Sequence, residues 1–125
     1  MSRPRILIVE DEAIVALALR MKLKAWGYDP VGPAVTGRDA IASFDREKPD
    51  VALLDVFLAD SVDGIEVARH IKDLSAIPFI FVTASQDADT RERALSLAPA
   101  AVVSKPYDDA ALGSAIREAL GDRSS

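Results

Sequence analysis

The chain has 125 residues, half of them apolar and none of them cysteine, which suits one compact domain and excludes disulfides, thiol catalysis and thiolate metal sites. Its 15 basic and 20 acidic residues give a net charge of −5, mixed in sign along the chain, which argues against the footprint of a direct nucleic-acid binder. No apolar stretch approaches the roughly 18 residues needed to cross a bilayer, and Met1-Ser2-Arg3-Pro4-Arg5 leads into an apolar run too short for a signal peptide, so we expect a soluble cytoplasmic protein with no membrane partner.

Ile6–Val9 is a continuous apolar run, and Val51–Leu54, Phe79–Val82 and Ala100–Val103 repeat it. Unbroken apolarity over that length, rich in β-branched side chains, predicts strands buried on both faces of a parallel sheet. After the first run, Ile14, Leu17, Ala18, Met21 and Ala25 follow one helical face, and Gly27 is placed to end that helix. Asp29–Val35 is a weaker strand, which Pro30 and Pro33 would confine to an edge. Thr36 can cap a second helix whose Ile41 and Phe44 share a face. Asp63-Gly-Ile-Glu66 opens a third helix with capping-box chemistry and core candidates Val67, Ile71 and Leu74. Asp87–Leu97 predicts a fourth, the least amphipathic. Asp108–Leu120 predicts a fifth, with Leu112, Ala115, Ile116 and Ala119 on one stripe before Gly121. The repeated βα order predicts an α/β, doubly wound, flavodoxin-like (βα)5 domain with strand order 2-1-3-4-5, covering 1–125 with a frayed tail over 121–125.

Open α/β sheets hold their ligands at the C-terminal ends of the strands. The first strand ends in Glu10-Asp11, the third in Asp55, the fourth in Thr83 and the fifth in Lys105. Taken singly, these have ordinary readings: a helix N-terminus for Glu10-Asp11, a turn for Asp55, a cap hydroxyl for Thr83 and a solvated amine for Lys105. Taken together, three carboxylates, a hydroxyl and an ammonium converge on one sheet edge. Two carboxylates about 5 Å apart repel by about 3 kcal/mol at an effective dielectric of about 20. A hard divalent cation relieves that cost, and Mg²⁺ favours carboxylates plus water. His70, the lone histidine, lies mid-helix away from these ends and reads as a helix-face residue.

Ile-Leu-Ile-Val-Glu10-Asp11-Glu12, Leu-Leu-Asp55, Phe-Val-Thr83-Ala84 and Lys105-Pro106 resemble, in order and spacing, the motifs of the response-regulator receiver domain of two-component signalling. The resemblance covers essentially the whole chain. It implies that Asp55 accepts a phosphoryl group from a histidine kinase or histidine phosphotransfer protein, and that the altered surface then regulates a downstream protein. It implies Mg²⁺, with Mn²⁺ able to substitute, held by Asp11 and Asp55 side chains, the Phe57 main-chain carbonyl and, through water, Glu10. Lys105 would pair with Asp55 and then with the phosphoryl group, Thr83 would move to bond a phosphoryl oxygen, and the Lys105–Pro106 peptide would be cis. The chemistry agrees with these roles: a carboxylate is a usable nucleophile for phosphoryl transfer, and the protein's contribution is mostly charge neutralisation.

Three features depart from the common pattern. The segment from Asp55 to Gly64 is one residue longer and lacks a proline four places after Asp55; Phe57 is bulky and apolar; and Val102 stands where most relatives carry a switching aromatic. The expectation is a phosphoacceptor without small-molecule turnover, either stand-alone or the receiver portion of a longer regulator. A metal-dependent phosphohydrolase is the alternative from another class, weakened because no Asp-x-Asp nucleophile ends the first strand. A nucleotide-binding module is weaker still, because no Gly-rich phosphate loop follows a strand.

Overall fold

The computed structural model describes residues 3–58, 62–84 and 87–121. In chain order these form β1 (Arg5–Val9), α1 (Ala13–Ala25), β2 (Asp29–Ala34), α2 (Gly37–Glu47), β3 (Val51–Leu54), α3 (Gly64–Leu74), β4 (Phe79–Thr83), α4 (Ala88–Leu95), β5 (Ala101–Ser104) and α5 (Asp109–Leu120). The strands make one parallel sheet in the order β2-β1-β3-β4-β5, as expected. The tail beyond Gly121 and the middle of the long segment after Asp55 lie outside the described residues.

Alternation along the strands sorts their side chains into two cores. Leu7, Val9, Ala52, Leu54, Phe79 and Phe81 point to one face, where Phe44 of α2, Ile65, Ala68 and Ile71 of α3 and Ala94 of α4 cover them. Ile6, Ile8, Val51, Leu53, Ile80 and Val82 point to the other, under Leu19 and Leu23 of α1 and Leu112, Ile116 and Leu120 of α5. Every position of β1, β3 and β4 is thereby apolar except at the ends, which is why the runs are continuous. Each fully buried Leu, Ile or Phe stabilises by about 1.5–3 kcal/mol. β2, with Pro30 and Pro33 inside it, takes an edge, where a missing N–H costs no ladder bond.

Local chemistry sets the helix ends. Thr36 Oγ1 accepts the Asp39 N–H at 3.0 Å, Asp63 Oδ1 that of Glu66 at 2.9 Å, and Asp108 Oδ1 that of Ala111 at 2.6 Å. At the end of α1 the Gly27 N–H donates to the Lys24 carbonyl and the Tyr28 N–H to that of Leu23, a Schellman pair made possible by φ +94 at Gly27.

Three expectations are corrected. The face of α1 bearing Ile14, Leu17, Ala18, Met21 and Ala25 turns outward, leaving Ile14 85% and Met21 66% exposed, while Ala16, Leu19 and Leu23 face the sheet. Both stripes have helical spacing, and the sheet takes the one that interdigitates with Ile6 and Ile8. α1, with apolar residues on both sides, is therefore less one-sided than α4, although α4 buries only Thr90 and Ala94. Leu74, the last residue of α3, is exposed where a core place was expected.

The first turn of α3 is pressed against β3. A Cβ on Gly64 would stand 1.9 Å from the Asp55 carbonyl oxygen, and the Gly64 N–H donates to the Val56 carbonyl at 2.7 Å. Gly64→Ala should therefore destabilise the domain by about 1–3 kcal/mol and move the Asp55 backbone resonances. Urea unfolding with a wild-type midpoint would show that α3 can retreat without cost.

Candidate functional site

The residues that matter stand one step beyond the strands, where the ladder still holds their backbone. The Glu10 N–H donates to the Ala34 carbonyl at 2.9 Å, that of Asp55 to Val9 at 3.0 Å, and that of Lys105 to Thr83 at 2.9 Å. The main chain is thus as rigid as the sheet, while the side chains leave the pleat and meet over its end.

Lys105 Nζ lies 2.6 Å from Glu10 Oε1 and 3.1 Å from Asp55 Oδ2. These side chains are largely withdrawn from solvent, with 17% of Lys105, 5% of Glu10 and 12% of Asp55 exposed. Asp11 is exposed on the open side, and one carboxylate oxygen from each of Glu10, Asp11 and Asp55 falls within 4.8 Å of the others. The Phe57 N–H approaches Asp55 Oδ1 at 3.4 Å, and the Phe57 ring is more than half exposed beside the cluster. Thr83 is buried at the end of β4, the strand beside β3. The Lys105–Pro106 peptide is cis, as the resemblance implied, and so is Gly32–Pro33.

Burial pushes the Asp55 carboxyl up; the Lys105 charge opposes this, the Glu10 charge adds to it, and the outcome is about 6. Burial also pushes Glu10 up, but its hydrogen bonds from Lys105 and from the Glu12 N–H outweigh this and leave it below its ordinary value. Burial lowers Lys105, and its hydrogen bond to Glu10 and the charge of Asp55 more than restore it, so the ammonium is held charged. One ammonium therefore serves two carboxylates, and it lies nearer Glu10. As pH falls, Asp55 is therefore the first of the two carboxylates to take up a proton.

This donor set fits a hard cation: three carboxylates, one of them open to solvent, with no sulfur or imidazole beside them. His70 is elsewhere, its Nε2 3.1 Å from Asp45 Oδ1 and its ring edge-on to Phe44, joining α3 to α2. A wider cleft lined by Phe44, Lys48, Asp50, Leu74 and Ile77 opens at the opposite edge of the sheet, away from the converging charges. Sequence reasoning passed over Tyr107, which shares a small cleft with Glu10, Asp55, Lys105, Val15 and Leu19. The available signal was its place two residues after Lys105.

Comparison with known proteins identifies the family to which this fold belongs. The family model for the response regulator receiver domain matches residues 6–117. The transcriptional regulatory protein PdtaR of Mycobacterium tuberculosis is 34% identical over 116 residues, covering 93% of this chain and 56% of its own length. The probable transcriptional regulator ycf27 of Porphyridium aerugineum is 32% identical over 120 residues, 96% of this chain and 49% of its own. The chain thus spans about half the length of these relatives. Among solved structures, the signal receiver domain of a modulated diguanylate cyclase from Desulfovibrio desulfuricans G20 superposes with a TM-score of 0.88 at 35% identity, covering 95% of this chain and 94% of that one. A CheY-like receiver domain protein from Methanospirillum hungatei JF-1 gives 0.88 at 27% identity, covering 98% and 97%. With its strand order, its acidic cluster and Lys105 placed as they are, the chain belongs to the response regulator receiver domain family.

Proposed function

We propose that this domain accepts a phosphoryl group on Asp55 from a phosphohistidine of a histidine kinase or phosphotransfer protein, in a Mg²⁺-dependent reaction, and so changes the surface it offers a downstream protein. The observation that carries this reading is the Lys105 ammonium held between Glu10 and Asp55 inside an all-oxygen acidic cluster. An Asp55 carboxylate oxygen forms the new bond to phosphorus as the donor's N–P bond breaks, its electron pair returning to the imidazole. Lys105 exchanges its contact with Asp55 for one with a phosphoryl oxygen, and Thr83 supplies a hydroxyl from the next strand. Bound by Asp11, Asp55 and the Phe57 carbonyl, with Glu10 through water, Mg²⁺ would supply charge neutralisation at the phosphoryl oxygens. Water later hydrolyses the acyl phosphate, so the domain dephosphorylates itself and turns over no small substrate.

The outward stripe of α1 supports a macromolecular donor. It begins at Ile14, one turn beyond Asp11, and continues through Leu17 and Met21, so a protein delivering a phosphoryl group to Asp55 would lie across it. For output we favour α4. Two polar ties join it and the turn after it to α3 and its cap, Arg93 to Asp63 at 3.3 Å and Lys72 Nζ to the Leu97 carbonyl at 2.8 Å, and it buries few residues of its own. Val102, half-buried on β5, has a short stiff side chain and no ring to swing. Movement of Thr83 would therefore reach the surface through the start of α4.

Three outcomes test the reading. Asp55→Asn should keep the fold and lose all phosphate incorporation from a cognate kinase or acetyl phosphate; intact-mass measurement showing full incorporation would move the acceptor elsewhere.

Magnesium should raise the melting temperature, contributing about 2.7 kcal/mol at a hundredfold excess over Kd, with most of the gain lost in Asp11→Ala. Because Asp55 titrates near 6, apparent Mg²⁺ affinity should fall about tenfold between pH 7 and pH 5. The sign for metal-free stability is opposite. The Asp55 pKa is raised on folding, so its contribution is full below its ordinary value of 3.8 and disappears as pH rises through about 6. Calorimetric titration showing pH-independent Mg²⁺ binding would contradict the site.

Leu17→Asp should slow transfer from a phosphohistidine protein by about tenfold or more while leaving acetyl phosphate labelling unchanged. Equal losses with both donors would mean that α1 acts on the site and not on docking.

A further inference from the structure

The turn that carries Lys105 into α5 is gripped from outside by α1. At one end the Lys105 N–H is tied to Thr83, and at the other Asp108 caps α5 through the Ala111 N–H. Between them Tyr107 packs on the core beneath α1 and α5 and walls the cleft that holds Glu10, Asp55 and Lys105. Lys22, on α1, reaches both sides of this turn. Its Nζ is 2.9 Å from Asp109 Oδ1 and 5.1 Å from the centre of the Tyr107 ring. One cation thus holds an aromatic ring before the cap and a carboxylate after it.

An ion pair this exposed adds little to global stability. Its contacts are local: they fall on the Tyr107 ring, which walls the cleft two residues after Lys105, and on Asp109 just past the cap of α5. We propose that Lys22 is a positioning residue for the phosphoryl-transfer site, holding the β5–α5 turn so that the Lys105 ammonium stays on Glu10 and Asp55. This rests on the phosphoacceptor reading. The side chain of Lys22 touches none of the reacting groups; it acts through Tyr107 and Asp109. Small misplacements at a reacting centre cost up to about a hundredfold in rate, and here the two carboxylates retain part of the alignment, so a smaller loss is expected.

The test uses Lys22→Met, which keeps the stem and removes the charge, and Lys22→Arg, which keeps the charge. The Lys105 ε-methylene protons are followed by NMR in the metal-free full chain, and acetyl phosphate labelling is timed with Mg²⁺ present. In the wild type the two ε protons should be inequivalent, as in a fixed side chain. Lys22→Met should merge them and slow labelling by about threefold to tenfold with an unchanged melting temperature, and Lys22→Arg should restore both. An unaltered Lys105 signal in Lys22→Met, a loosened Lys105 with wild-type labelling, or no rescue by arginine overturns the proposal. If the wild type takes no phosphoryl group, it is the phosphoacceptor reading that fails, and the Lys105 signals still decide whether Lys22 restrains that side chain.

Discussion

Two carboxylates and one ammonium share the end of a buried sheet, and the rest of the domain is arranged so that they cannot drift apart. Glu10 and Asp55 come from adjacent strands, and Lys105 arrives from the far edge to bridge them. Taken out of water, such charges are costly unless paired and hydrogen-bonded. The pairing is incomplete, since one ammonium faces two carboxylates with Asp11 close by. Burial, with the Glu10 charge adding to it, lifts Asp55 to about 6 despite Lys105, while Glu10 stays low. A site short of one cation is predisposed both to hard metal ions and to reorganisation when a further anionic group arrives.

The two cores divide the work of holding that edge. The one under α1 and α5 contains Ile8, Leu53 and Val82, next to the strand ends that carry Glu10, Asp55 and Thr83. The one under α2, α3 and α4 is larger, and its outermost helix contributes only a few apolar residues. The site is therefore rigid on its α1 side and more loosely covered on its α4 side. That asymmetry comes from packing alone and would bias any response toward α4.

Much of this was legible in the sequence, for a physical reason. Strands covered on both faces must be apolar throughout, so Ile6–Val9 and Val51–Leu54 announce themselves without knowledge of their neighbours. The caps Thr36, Asp63 and Asp108 are equally local. The candidate cluster followed because strand order brings distant strand ends together. The outward side of α1 was not legible: Ile14, Leu17 and Met21 have the same period as Ala16, Leu19 and Leu23, and only the three-dimensional fit to the sheet chooses between them. Nor could sequence tell that Lys105 sits nearer Glu10 than Asp55, or that Asp55 is the carboxyl pushed up to about 6. Those facts depend on distances between groups 95 and 50 residues apart. Tyr107 and Lys22 escaped for the same reason, being joined only through the packing of α1 on the β5–α5 turn.

The contact between Gly64 and the Asp55 carbonyl has a mechanical meaning. Helix α3 begins as a stop against the peptide that carries the Asp55 side chain, with no side-chain cushion between them. A load placed on Asp55 cannot be absorbed by that peptide sinking backward, because the helix behind it is backed by Ile65, Ala68 and Ile71 in the core. The smallest residue type in the chain thereby acts as an anvil, letting the helix stand directly behind the Asp55 peptide.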